Sequence, residues 1–321
     1  MDAFETLFEK AVPTPGGCTV HSHHSDPTFH KDKAVLIMIH GWPQSKYMFR
    51  YLIPTLSKTH RLLIPDLPGY GESTPSTKSD RLTVGTAILH AAVEIFESTS
   101  IIFLSHDRGA RVSQHMASHW PSISPMFPQL TLVGACLMDI VPYKDQWEAF
   151  ANPRISSGYF HWSFLARPEI STPMIQAYGG GRFAKDIILK TQGTNEAGRV
   201  SLAAGGAIER YAAYYERQST IDAAAADYTA GANDDYQTQV EDMDSEDESK
   251  KIGVPTLVLY SMSNLGRGFP DMQAVWTKWL RKDVDLHCVG IGDGVGHYLP
   301  EEAPEKVLQA VQPWLAGFST G

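Results

Sequence analysis

Cysteine is scarce in this sequence: three residues in 321, at Cys18, Cys136 and Cys288. The number is odd, and two of the three sit in apolar runs ("VGACLM", "LHCVGI"). That excludes a disulfide scaffold and fits buried, reduced thiols in a reducing compartment. Positive charge is also in short supply. Lys and Arg number 27 against 36 Asp and Glu, giving a net charge of −9. No basic face is on offer for a phosphate backbone, so nucleic acid is excluded as the main partner. A small anion is not excluded, because local charge can oppose the global sign. No apolar run is long enough to cross a membrane, and the acidic start "MDAFETLFEK" lacks the pattern of a signal peptide. A cytoplasmic protein without a membrane partner is therefore expected. Internal repeats are missing. So is a phosphate-binding glycine loop: "YGGGR" at 178–182 reads as an ordinary loop.

What the chain does have is a series of short apolar runs that read as buried parallel strands. These are "AVLIMIH" (34–40), "RLLIPDLP" (61–68), "SIIFLSH" (100–106), "LTLVGACLMDI" (130–140), "PTLVLYS" (255–261) and "DLHCVGIGD" (285–293). Helical patterns such as "LTVGTAILHAAVEIFES" (82–98) and "PEKVLQAVQPWL" (304–315) separate most of them. Strand and helix in alternation predict an α/β sheet covered on both faces. From 141 to about 250 strand signals stop and aromatics are dense ("YFHWSFL", "ERYAAYYER"). This predicts a first core segment at 1–140, a helical cap at 141–250 and a second core segment at 251–321. The acidic end of the cap, "DDYQTQVEDMDSEDESKK" (234–251), reads as a solvated connection.

Ser105-His106-Asp107-Arg108-Gly109 has the spacing of a nucleophile elbow, G-x-S-x-G, with aspartate in the nucleophile slot and serine for the first glycine. Alone, the fragment also fits an aspartate capping the next helix. The surrounding motifs decide otherwise. "HGWP" (40–43) and "DLPGYGES" (66–73) follow two strands, "MDI" (138–140) ends a third, and "GVGHYLPEE" (294–302) follows the last. Nucleophile, acid and histidine occur in the order of an α/β hydrolase, and the chain resembles that superfamily over nearly its whole length.

Aspartate in the slot narrows the chemistry. Serine attacking an sp³ carbon would leave an ether, whereas a carboxylate leaves an alkyl ester that water can hydrolyse. Asp107 therefore suits halide displacement or epoxide opening. His297 is the candidate base for that water, and Asp139 the residue that orients the imidazole. The backbone N–H groups of Trp42 and Arg108 are the candidate oxyanion donors.

Arg108 and Arg111 share one face of the helix that begins at the elbow. Cations there oppose the helix dipole, so something other than helix stability requires them. They either pair with nearby carboxylates or clamp a substrate carboxylate, leaving its α-carbon beside Asp107. Haloalkane dehalogenases and epoxide hydrolases usually carry tryptophan after the nucleophile, where this chain has Arg108. "HDRGAR" resembles instead the motif of the fluoroacetate dehalogenases, which act on short 2-haloacids. That resemblance implies a halide cradle made by His161, Trp162 and Tyr228 from the cap motifs "YFHWSFLARPEI" and "AAADYTAG". The product would be a 2-hydroxy acid inverted at the α-carbon. Cap aromatics also pack simply as core.

In an epoxide hydrolase two cap tyrosines protonate the epoxide. Tyr228 with Tyr159, Tyr211, Tyr214 or Tyr215 keeps that alternative open. A receptor that binds a carboxylate without turnover would tolerate Asp107→Asn or His297→Ala. The chemistry calls for no cofactor and no metal. In "HSHH" (21–24), a strand would put His21 and His23 on one face. The expected partner is a small-molecule carboxylate, and the resemblance suggests a homodimer.

Overall fold

The computed structural model describes residues 3–97 and 99–318. One mixed sheet of eight strands organises it, in the order β1-β2-β4-β3-β5-β6-β7-β8. These are β1 (Phe8–Pro13), β2 (Thr19–His24), β3 (Val35–Ile39), β4 (Arg61–Pro65), β5 (Thr99–His106), β6 (Leu130–Met138), β7 (Thr256–Ser261) and β8 (Leu286–Ile291). β2 pairs antiparallel with β1 and with β4, and all other pairs are parallel.

The six parallel strands are the six apolar runs of the sequence, several of them trimmed at the end. β3 and β4 are buried at every position, as strands covered on both faces must be. Alternate residues feed opposite layers. Ile37, Ile39, Phe103 and Leu137 pack under the helices Arg81–Phe96 and Asp107–Ser118. Met38, Leu104, Met138 and Leu259 pack under the helix Pro304–Ala316. Ser98, where the sequence pattern would end the helix that begins at Arg81, lies outside the described residues.

Where the strands are shorter than their apolar runs, the extra residues leave the sheet at its C-terminal edge. His40, Asp66 and Asp139 all follow strands in this way. β3 is flanked by β4 on one side and β5 on the other, so the chain reverses direction there. In α/β sheets that reversal opens a crevice for ligands.

Between β6 and β7 the described residues form helices and no strand. The acidic stretch from 234 is not a solvated connection. Asp234–Asp244 is a helix whose Asp235, Gln239 and Asp242 are buried. Their i, i+4, i+7 spacing makes one face, and each has a partner. Asp235 accepts from the Arg81 backbone N–H at 2.9 Å. Gln239 donates to Gln114 at 2.7 Å. Asp242 lies 2.9 Å from His119. The glycines of "YGGGR" are likewise mostly helical: Gly180 and Gly181 open the helix Gly180–Thr191, and Gly179 alone turns. Among the described residues no helix is long and apolar enough to cross a membrane.

Candidate active site

Asp107 stands at the switch between β5 and the helix Asp107–Ser118, with φ at +45°. A left-handed aspartate at a strand-to-helix turn projects its carboxylate out of the sheet edge. Two glycines make room for it. A Cβ on Gly109 would lie 2.4 Å from the carbonyl oxygens of Ile39 and His40, and one on Gly41 would lie 2.5 Å from the Asp107 Cβ. Ser105 is tolerated in the first glycine slot because its hydroxyl turns inward and bonds the Ser113 hydroxyl at 2.6 Å.

The Trp42 backbone N–H donates to Asp107 Oδ2 at 3.0 Å. It is held there by the turn after β3, where His40 Nε2 accepts from the Leu67 N–H at 2.9 Å. Arg108 is in the first turn of the elbow helix, where N–H groups have no intrahelical acceptor. Asp107 Oδ1 faces His297 Nε2 at 3.9 Å. On the other side of the ring, His297 Nδ1 bonds Asp139 Oδ2 at 2.6 Å. Asp139 is itself fixed by the Ser261 N–H at 2.7 Å and the Asn264 side chain at 3.1 Å. Asn264 is a contact that sequence spacing did not single out.

Burial opposes ionisation of Asp107. The charges of His297, His106, Arg108 and Arg111 outweigh it and hold the carboxyl below its usual range. Burial also opposes protonation of His297, but the hydrogen bond to Asp139 and the Asp107 charge raise its pKa above the ordinary value. The histidine loop is pinned from beneath. Glu302 accepts from the N–H groups of Gly296 (2.8 Å), Tyr298 (3.1 Å) and Gly193 of the helical segment (2.8 Å).

The two arginines divide. Arg108 is fully buried and does not line the cavity at Asp107. Its Nε and Nη2 donate to the Asp227 carboxylate at 2.8 and 2.7 Å. Arg81 also bonds Asp227, and it reaches Asp235 at 3.2 Å. Arg81, Arg108, Asp227 and Asp235 thus form a buried set with no net charge. The bidentate edge expected to clamp a ligand is already engaged, because the "ADY" aspartate of the alanine-rich helix Gln218–Ala232 reaches it first. Asp227 had one legible signal, a carboxylate set among the small residues of an alanine-rich run.

Arg111 differs. It is buried and lines the cavity. Nη1 donates to the Val141 carbonyl at 2.8 Å, and Nε has no partner among the described residues. No carboxylate pairs with it there. Burial lowers its pKa to about 10, which leaves it charged at neutral pH.

The cavity measures about 90 Å³, room for roughly six water-sized groups. Asp107, Asp139 and His297 line it together with His161, Trp162 and Tyr228. His161 stacks on Trp42 with ring centroids 5.1 Å apart. Burial drops its pKa to about 3, so it is a neutral imidazole. Tyr228 stays protonated, since burial lifts its pKa well above the usual value. Of the other tyrosines, Tyr159 lines the cavity. Tyr211 bonds Glu301 and Tyr215 accepts from the Trp42 indole, both away from it. A larger cleft of about 970 Å³, beside His115 and His119, contains none of the triad.

Residues 34–154 match the profile of the family described as alpha/beta hydrolase fold. The chain has the α/β-hydrolase fold. It is 22% identical to a fluoroacetate dehalogenase of a Burkholderia species over 291 residues, 89% of this chain and 88% of the relative. It is 24% identical to a soluble epoxide hydrolase of Corynebacterium sp. (strain C12) over 294 residues, 88% and 90% of the two chains. Among solved structures it resembles ALR0039 of Nostoc sp. PCC 7120, with a TM-score of 0.81, 24% identity and coverage of 97% and 99%.

Proposed function

We propose that this α/β hydrolase is a dehalogenase of short 2-haloacids, fluoroacetate among them. The observation that carries this reading is Arg111: a buried cation without a carboxylate partner among the described residues, facing the same small cavity as Asp107. Such a charge calls for an anion. A substrate carboxylate on Arg111 leaves its α-carbon beside Asp107, and the volume limits the acid to a few heavy atoms. The similarity to a fluoroacetate dehalogenase supports the same reading.

In the first step Asp107 Oδ1 attacks the α-carbon from the side opposite the halogen. A carbon–oxygen bond forms as the carbon–halogen bond breaks. The halide takes the bonding pair and is met by N–H and O–H donors of His161, Trp162 and Tyr228 in a site with little water. In the second step His297 removes a proton from water, which attacks the Asp107 Cγ. The resulting charge on Oδ2 is held by the Trp42 N–H, and that of Arg108 is the second candidate donor. Collapse breaks the ester, His297 returns a proton to the leaving alkoxide, and the 2-hydroxy acid departs, inverted at the α-carbon.

A second reading has its own observation. Tyr159 and Tyr228 both line the cavity, and a pair of phenols facing an aspartate nucleophile suits epoxide opening. One experiment separates the two. Purified enzyme is given fluoroacetate and chloroacetate with halide-selective electrodes, and in parallel a small terminal epoxide. Halide release with an inert epoxide is expected. Epoxide turnover without halide release overturns the dehalogenase reading.

A further inference from the structure

Four donors near the cavity have no acceptor among the described residues: Arg108 Nη1, Arg111 Nε, the Tyr143 hydroxyl and Gln146 Nε2. They come from two elements, the elbow helix and the helix Tyr143–Ala149. Both guanidinium groups lie over the Tyr143 ring, at 5.4 and 4.5 Å. Gln146 is one turn further along the same helix face. Buried donors without acceptors are rare because each forfeits its bonds to water. A group of them points to a ligand that supplies oxygen. Arg111 and Gln146 line the cavity itself.

Gln146 is 1% exposed. A residue there for packing alone would be leucine or methionine, which fill similar space with no unmet donor. Arg108 cannot supply the second arm of a carboxylate clamp through its bidentate edge, because Asp227 holds it. Arg111 has Nη1 on the Val141 carbonyl, and Gln146 Nε2 is a second unmet donor beside the same cavity, placed to take a second substrate oxygen.

We infer that Gln146 determines specificity: its carboxamide N–H donates to the substrate carboxylate beside Arg111, in the place a second guanidinium would otherwise fill. The pocket then presents one uncompensated positive charge and one neutral donor. It takes small monocarboxylates and refuses dicarboxylates, whose second charge finds no partner. This inference rests on the haloacid reading for the identity of the substrate but not for the carboxylate contact, so the two are tested separately.

Binding of acetate and glycolate is measured by calorimetry for the wild type, Gln146→Leu and Gln146→Met. Both variants should bind about 10- to 100-fold more weakly, the scale of one hydrogen bond to a charged group. With chloroacetate, KM should rise by a similar factor while kcat stays within about threefold, since ester hydrolysis does not involve Gln146. Gln146→Glu should lose chloroacetate and turn toward chloroacetamide, whose N–H groups the new carboxylate can accept. Native circular dichroism and melting identify any variant that fails to fold, and the two apolar variants serve as replacements for each other. Unchanged acetate binding in a folded Gln146→Leu or Gln146→Met overturns the inference and leaves the haloacid reading standing. Failure of the wild type to bind acetate or glycolate also overturns it. Gln146-dependent acetate binding without halide release removes the haloacid reading and keeps the inference.

Discussion

Replacing Asp227 with asparagine tests the buried charge set most directly. Its carboxylate takes two hydrogen bonds from Arg108, one from Arg81 and one from the Tyr70 hydroxyl at 3.2 Å. Asp227→Asn keeps the shape and removes the charge, leaving two buried guanidinium groups with Asp235 alone. Breaking a buried ion pair from one side costs about 3–5 kcal/mol. An unfolding entropy of about 2.1 cal/mol/K per residue over 321 residues gives about 0.7 kcal/mol/K. The expected fall in Tm is therefore ~4–8 °C by differential scanning calorimetry. The double variant Asp227→Asn/Arg108→Met removes the stranded cation as well and should recover at least half of that loss, because an apolar replacement of a buried pair is close to neutral. A Tm within about 1 °C of wild type for the single variant, or a double variant worse than the single, would refute this account of Arg108.

Other outcomes follow from the same geometry. His297→Asn should stop the reaction at the ester, so mass spectrometry of the peptide carrying Asp107 should gain a carboxymethyl group after incubation with chloroacetate; an unmodified peptide counts against covalent catalysis. The pKa of His297 is raised in the free enzyme partly by the Asp107 charge, and esterification removes that charge. The base therefore becomes neutral at a lower pH in the intermediate, and single-turnover ester hydrolysis should gain activity with rising pH at a midpoint below the His297 pKa that NMR finds in the free enzyme. Tyr159→Phe should leave chloroacetate turnover within about threefold, whereas Tyr228→Phe should slow fluoroacetate at least tenfold, and chloroacetate less, because fluoride depends most on its donors. Gly109→Ala forces a Cβ against two carbonyl oxygens at 2.4 Å. It should cost about 1–3 kcal/mol of stability and most of the activity, read by melting and halide release.

The positions of the six parallel strands and the elbow were legible because they depend on local signals: apolar runs, and Gly41 and Gly109 beside a carboxylate. The contacts among Asp107, Asp139 and His297 could be anticipated for the same reason, since strand ends at one sheet edge must converge. Side-chain competition was not legible. Arg108 and Arg111 look equivalent in "HDRGAR", yet one meets Asp227, 119 positions on, and the other meets the Val141 carbonyl. Nothing within either motif reveals that choice. Likewise the acidic stretch from 234 reads as a water-exposed run until the partners of Asp235 and Asp242 are known, and those lie at the ends of helices far away in the chain. Gln146 carried no pattern at all, and its meaning comes only from the empty space beside it.

The grip of the Trp42 N–H on Oδ2 gives the two carboxylate oxygens of Asp107 different fates on the ester route. Oδ2 stays with the protein, while Oδ1 leaves as the hydroxyl of the product and solvent oxygen takes its vacancy. In water enriched with ¹⁸O, the first product molecule would carry only the light isotope at its new hydroxyl, and the heavy label would first be found in the enzyme.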